Sequence, residues 1–255
     1  MSRLFEDRCR AESFGDVARA YDRARPSYPP ALLDSLLADG AHKVIDVGCG
    51  TGIVAALLAA RGCEVLGVEV DERMAEVART KGVAVEVGTF EDWDDRGRRF
   101  ELVTCGQAWH WIDPCRGALK AADVLRPGGR IGCFWNFGDP PSEFREVVKP
   151  VYRRLAPELE ERSVALGHFT DRFEVAEREL NASGRFEHVE LRRFPWSKTY
   201  TSAEWIDVAA THSDHHALAG PRLDALLDAV GSEIDSLGGS FEMAYRTMLV
   251  TATSR

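Results

Sequence analysis

The chain has 255 residues, 45% of them hydrophobic, and 32 Lys and Arg against 41 Asp and Glu give a net charge of −9. One substantial core fits this length, so a single α/β domain with insertions is the economical reading. The acidic balance argues against a nucleic-acid partner, which would be held by Lys and Arg on phosphates, and no apolar run approaches the roughly 20 residues of a membrane span.

Six cysteines (Cys9, Cys49, Cys63, Cys105, Cys115 and Cys133) contain no Cys-x-x-Cys pair, and several fall in apolar, strand-like runs. They read as small buried hydrophobes of a reducing compartment. Met1 to Glu12 is rich in charge and has no apolar core, so a soluble, cytoplasmic protein is expected.

Along residues 1–40, Ala-rich spacing predicts a helix from Asp16 to Arg25 that stops before Pro26. A second helix is expected over Ala31 to Ala38, on the sheet edge. This preface is read as a helical lid. Lys43 to Val47 then forms a short β-branched run, followed by Gly48, Gly50 and Gly52 and the helix-forming run of about 52–61. The pattern predicts a buried strand, a tight turn and a helix start. Glycine reaches backbone angles closed to other residues and lets a ligand lie against the main chain. Free N–H groups at the helix start favour an anionic or electron-rich group. The dinucleotide fingerprint wants a third glycine at position 53, where Ile53 stands, which weakens an NAD reading.

Glu64 to Val70 predicts the second strand, and Asp71 caps a helix through Thr80. Glu69 ends that strand 23 positions after Asp46, close to the roughly 20-residue spacing at which a strand-end carboxylate meets a ribose and can accept from both hydroxyls. Asp46-x-Gly48-x-Gly50-x-Gly52 with the later Glu69 resembles the cofactor site of class I S-adenosylmethionine-dependent methyltransferases. The entry segment Phe14 to Asp22 and Arg25-Pro26-Ser27-Tyr28-Pro29 is similar to the methyltransferase type 11 group. The resemblance implies that Tyr21 and Arg25 close over the methionine end of the cofactor, with Arg25 on its carboxylate. It also assigns Asp46, Gly48, Gly50, Thr51, Gly52, Glu69 and Val70 to cofactor binding.

Val83 to Val87 predicts a third strand, followed by Gly88-Thr89-Phe90-Glu91-Asp92-Trp93. The family holds adenine just after this strand, which assigns Phe90 to the apolar contact and Glu91, or alternatively Asp92, to the amino group. Phe100 to Cys105 is a fourth, central strand, and it leads into Gly106-Gln107-Ala108-Trp109-His110-Trp111 ahead of a helix capped by Asp113 before Pro114. By resemblance this loop lines the cofactor through Gln107, Ala108 and Trp109. The Trp109 face is the candidate contact for a sulfonium, and His110 is the candidate catalytic base at the site mouth.

A turn at Leu125 to Gly129 precedes strand five, Arg130 to Trp135. Helices are expected over Ser142 to Leu155 and Asp171 to Ser183, then strand six (Phe186 to Trp196), a helix over Pro221 to Leu237 and a final antiparallel strand, Ser240 to Thr253. His212 and His216 would share a helix face. With no Cys or Glu arranged beside them, no metal is assigned, and a polar helix end or a part in the substrate pocket is the reading.

The expected fold is therefore a Rossmann-like three-layer α/β/α sandwich with a seven-stranded, mostly parallel sheet, an antiparallel last strand and helical lid insertions. Its expected parts are an N-terminal lid (1–40), an S-adenosylmethionine-binding core (41–136), a helical insertion over the substrate (137–185) and a sheet-completing segment (186–255) with a helical insertion at about 201–238. The resemblance implies methyl transfer to a small-molecule acceptor, with oxygen (hydroxyl or carboxylate) as the expected atom, by a monomer or homodimer. The alternatives are an S-adenosylmethionine-binding protein without turnover and an NAD-linked oxidoreductase.

Overall fold

The computed structural model describes residues 15, 17–161, 163–168, 171–215, 218 and 220–255. Phe14, Asp16 and His216 lie outside them. Seven strands, β1 (Lys43–Val47), β2 (Glu64–Glu69), β3 (Ala84–Val87), β4 (Phe100–Gly106), β5 (Leu125–Asp139), β6 (Phe186–Thr201) and β7 (Ser240–Ser254), form one sheet in the order β3-β2-β1-β4-β5-β7-β6. β1 pairs in parallel with β2 and β4, and β4 with β5; β7 runs antiparallel to both β5 and β6. This is the mixed Rossmann-like sheet that the sequence predicts.

The strands are apolar on both sides because both faces are covered. Ile45, Val103, Cys133 and Val250 join one core with Ala118 and Ala121 of α5 (Pro114–Val124) and with Ala176 and Leu180 of α7 (Arg172–Ala182). Their sequence neighbours Val44, Leu102, Phe134 and Leu249 face the opposite core, with α2 (Pro30–Leu36) and α3 (Ile53–Ala59). The α2 helix thus covers the middle of a sheet face and not its edge. Leu32, Leu33 and Leu36 are almost fully buried, and a stripe of that size needs a broad apolar surface beneath it. The helix α4 (Glu72–Thr80) flanks β2 and β3, and the Asp71 side chain caps it by accepting from the Arg73 N–H at 2.9 Å.

Strand β5 is longer than expected at both ends. Its start pairs Leu125 with Phe100, and the predicted turn at Arg126 to Gly129 is accommodated by a register shift between Phe100 and Leu102. At the far end Asp139 pairs with Ala244, and β6 likewise continues until Thr201 faces Ser240. The β6–β7 ribbon therefore reaches past the sheet. Its tip carries α8 (Ser202–Ala210), opened by a Thr201–Glu204 capping box, and α9 (Gly220–Ser236).

These two helices pack with α6 (Ser142–Leu155) around an aromatic core that includes Phe144, Trp205, Tyr200, Phe241 and Tyr245. The segment 137–185 is consequently not one insertion. The α6 helix buries Phe144, Val148, Val151 and Tyr152 in this helical cap, whereas α7 lies on the sheet. The short N-terminal helix α1 (Ala18–Ala24) places Ala24 in the cap core. Among the described residues, no helix is long and apolar enough to cross a membrane.

Candidate functional site

Strands β1 and β4 are neighbours, yet the chain leaves them toward opposite edges of the sheet. The loops after their C-terminal ends diverge there and open a crevice, the usual ligand position in such sheets. Gly48, Gly50 and Gly52 all have left-handed backbone angles (φ +61°, +55° and +76°). The turn is tied to β2 by N–H donation from Gly48 and Cys49 to the Val68 carbonyl, at 2.9 and 3.2 Å.

The three glycines do different work. A Cβ at Gly52 would meet Ala78 Cβ at 2.9 Å, so Gly52 serves the packing of α3 on α4. Gly48 and Gly50 line an open cleft. Glu69 and Val70 from the end of β2, Phe90 and Glu91 after β3, Gln107 and Ala108 after β4, and Tyr21 of α1 also line it.

Glu69 is buried and holds the turn together. One oxygen accepts from the Gly50 N–H at 2.7 Å, and the other from the N–H groups of Val70 (2.8 Å) and Asp71 (3.0 Å). A carboxylate has about four acceptor positions, so three backbone donors leave room for roughly one more and not for the two ribose hydroxyls expected from the sequence. Burial pushes the Glu69 carboxyl upward; the three backbone N–H groups pull it back, and the nearby Asp71 charge adds to the rise. Glu91 likewise has one oxygen engaged, accepting from the Asp113 N–H at 2.8 Å at the start of α5. Gln107 takes φ +58°, uncommon for a residue with a side chain, while its N–H donates to the Phe134 carbonyl at 2.8 Å.

Six of the expected residues are not among those lining the cleft: Arg25, Asp46, Thr51, Gly52, Trp109 and His110. Asp46 is buried and accepts from the Thr104 hydroxyl at 2.8 Å. Desolvation raises its carboxyl to about 7, against the pull of that hydrogen bond. Thr51 is buried too. The Arg25 guanidinium stacks over the Tyr21 ring (4.8 Å) and donates to the Thr211 carbonyl at 2.7 Å, which ties α1 to the end of α8.

The Trp-His-Trp unit departs most from expectation. Residues Trp109–Trp111 form a single 3-10 turn, and it buries Trp109 in the sheet core, with the indole N–H donating to Glu179 of α7 at 2.9 Å. Trp111 and Ile112 line the cleft instead. The His110 ring lies 4.9 Å from that of Trp111, and its Nδ1 accepts from the Trp135 indole N–H at 3.3 Å. Trp111 is the cleft-lining residue that sequence reasoning misses. The choice between two tryptophans in one turn depends on Glu179, 70 positions away, which supplies the buried partner an indole N–H needs.

Residues 44–129 match the family model described as a methyltransferase domain. An uncharacterized methyltransferase of Mycobacterium tuberculosis (strain H37Rv) is 43% identical over 130 residues, which make up 50% of this chain and 53% of that protein. The ubiquinone biosynthesis O-methyltransferase of Alkalilimnicola ehrlichii is 34% identical over 98 residues, 35% of this chain and 40% of that protein. The chain thus spans about half the length, or less, of the curated relatives it matches. Among solved structures, a protein of Anaeromyxobacter dehalogenans assigned as a type II methyltransferase superposes with a TM-score of 0.66 at 21% identity, over 90% of this chain and 97% of that one. The glycine turn, Glu69 and the loop after β4 all lie inside the segment that matches the methyltransferase-domain model, and the chain as a whole shares the Rossmann-like fold of the superposed structure.

Proposed function

We propose that the chain is an S-adenosylmethionine-dependent methyltransferase acting on an oxygen of a small-molecule acceptor. The observation that carries this reading is the joint between β1 and β2: a left-handed glycine and a buried carboxylate, 2.7 Å apart, both in the wall of one cleft. The lining fits an adenosyl amino acid. Bare main chain at Gly48 and Gly50 suits the amino-acid end, the remaining acceptor position of Glu69 suits a ribose hydroxyl, and Phe90 and Ile112 give apolar walls beside the polar Thr89 and Glu91 for a purine.

When bound, S-adenosylmethionine supplies an electrophilic methyl on a sulfonium, and transfer breaks the sulfur–methyl bond as the acceptor–methyl bond forms. The residues of this chain orient and shield. The aromatic face of Trp111, in place of Trp109, favours a cation by roughly 0.5–2 kcal/mol, and holding two reactants in attack geometry contributes up to roughly 7–11 kcal/mol. Arg25 positions Tyr21 over the cleft and does not itself bind the cofactor carboxylate. The Nδ1 of His110 accepts from the Trp135 indole N–H, and this reading gives His110 a positioning role and not that of general base. An acceptor already ionised at neutral pH needs no base. A carboxylate is therefore the favoured acceptor group, and the relative named as an O-methyltransferase supports oxygen as the atom but not the carboxylate in particular.

Incubation with methyl-labelled S-adenosylmethionine and a panel of small carboxylic acids and phenols tests this directly. Label is expected on carboxylates, and His110→Ala should keep turnover within about threefold. Transfer to phenols that His110→Ala abolishes would restore the histidine as base, and cofactor binding without transfer to any acceptor would favour a binding protein.

A further inference from the structure

The turn after α8 holds a second constellation, none of whose residues lines the cleft. His212, Asp214 and His215 each bring one ligand-type atom within 4.8 Å of the other two. His212 is 7% exposed and His215 is fully buried. Two imidazoles and a carboxylate from four consecutive positions converge at the edge of an aromatic core, where polar groups are costly unless something pairs with them.

The hydrogen bonding around the trio points inward. Nε2 of His215 pairs with the Tyr152 hydroxyl of α6 at 2.8 Å, which leaves Nδ1 as the nitrogen that faces the cluster. That Nδ1 is buried and lies 3.1 Å from Oδ1 of Asp214, a close carboxylate–imidazole contact that lacks the alignment of a full hydrogen bond. Oδ1 of Asp214 accepts from the His215 backbone N–H at 3.0 Å, while Oδ2 is buried with no hydrogen-bond partner. An outer hydrogen bond on one ring nitrogen, with the other turned to a carboxylate, is the arrangement that orients a histidine ligand.

We propose that His212, Asp214 and His215 form a structural site for a divalent first-row cation. Zn²⁺ is the fitting ion, with a water completing its coordination. Borderline nitrogen ligands with one carboxylate suit Zn²⁺ over Mg²⁺ or Ca²⁺, which demand oxygen ligands. The ion would neutralise Asp214 and fasten the α8–α9 turn to α6 through Tyr152, so its contribution is to the stability of the cap. Neither the cofactor nor the acceptor enters this proposal, so it stands or falls apart from the methyltransferase reading.

The test uses the full chain, stripped with a chelator, given one equivalent of Zn²⁺, passed through gel filtration and measured for metal content. About one zinc retained per chain is expected, with a rise in melting temperature that EDTA reverses. Asp214→Asn and His212→Gln should each weaken zinc at least about tenfold in competition with a chromophoric chelator. Cys115→Ser, which removes an exposed thiol, should change nothing. Circular dichroism checks that each variant folds, and if Asp214→Asn does not, His212→Gln carries the comparison. Cobalt(II) adds a spectroscopic reading, a visible ligand-field band without thiolate charge transfer. No retained zinc, or equal retention by wild type and both ligand variants, overturns the proposal.

Discussion

The cleft and the helical cap are built by different means. At the cleft, backbone does most of the work: left-handed glycines, N–H groups gathered on Glu69, and a crevice set by strand order. In the cap, side chains do it. Phe144 packs edge-on against Trp205 at 5.7 Å, Trp196 stacks on Tyr245 at 4.5 Å, and the Tyr200 and Tyr245 hydroxyls meet at 2.9 Å. A site made of backbone geometry leaves short, local marks in a sequence, whereas one made of tertiary packing does not.

The sharpest way to break this contrast is to damage one region and read the other. Trp205→Ala removes one of the largest fully buried side chains and is expected to cost about 3–5 kcal/mol of stability. Cofactor affinity of the folded protein should stay within about threefold, checked by denaturant melts beside calorimetry; a tenfold loss would show that the cap shapes the cleft. Gly50→Val does the opposite. It forces a β-branched residue to φ +55° in the cleft wall and should weaken S-adenosylmethionine at least about 100-fold, roughly 2.7 kcal/mol.

Asp46 supplies a pH signature from beside the turn. Its folded pKa of about 7 lies above the ordinary 3.8, so between about pH 4 and 7 the folded state holds a proton that the unfolded chain has released. That contribution is complete below about pH 4 and is lost as pH rises to 7, on the order of 4 kcal/mol. Urea melts of wild type and Asp46→Asn across this range should show the slope in the first and a flatter profile in the second.

Glu69→Gln presents an amide NH₂ to backbone donors and should weaken the cofactor about tenfold, read by calorimetry. The smallest effects separate the two tryptophans. Trp109→Phe leaves Glu179 without its indole donor and should cost about 1 kcal/mol of stability with cofactor affinity unchanged. Trp111→Leu should weaken the cofactor a few-fold with little effect on melting.

How much was legible in the sequence follows the same division. The β1–α3 unit, Glu69 at the end of β2 and Asp113 capping α5 sit where local pattern puts them, because period, glycine and cap residues act over a few positions. A leucine stripe does not say which surface it meets, so the sequence points α2 to the sheet edge while the helix lies over the middle of a face. The helices α6 and α7 have similar patterns and differ only in their distant partners, so the sequence does not separate them within 137–185. Trp109 and Trp111 are indistinguishable in sequence for the same reason. The His212 cluster needed Asp214 as a third group, and its geometry exists only once the turn after α8 has folded against Tyr152.

Isothermal titration of the purified chain with S-adenosylmethionine and S-adenosylhomocysteine, with NAD as control, probes the cleft most directly. Saturable heat with one site per chain for both sulfur compounds, none for NAD, and loss of that heat in Gly50→Val is the expected result. No heat with either sulfur compound from a well-folded protein, or saturable binding of NAD in their place, would contradict it.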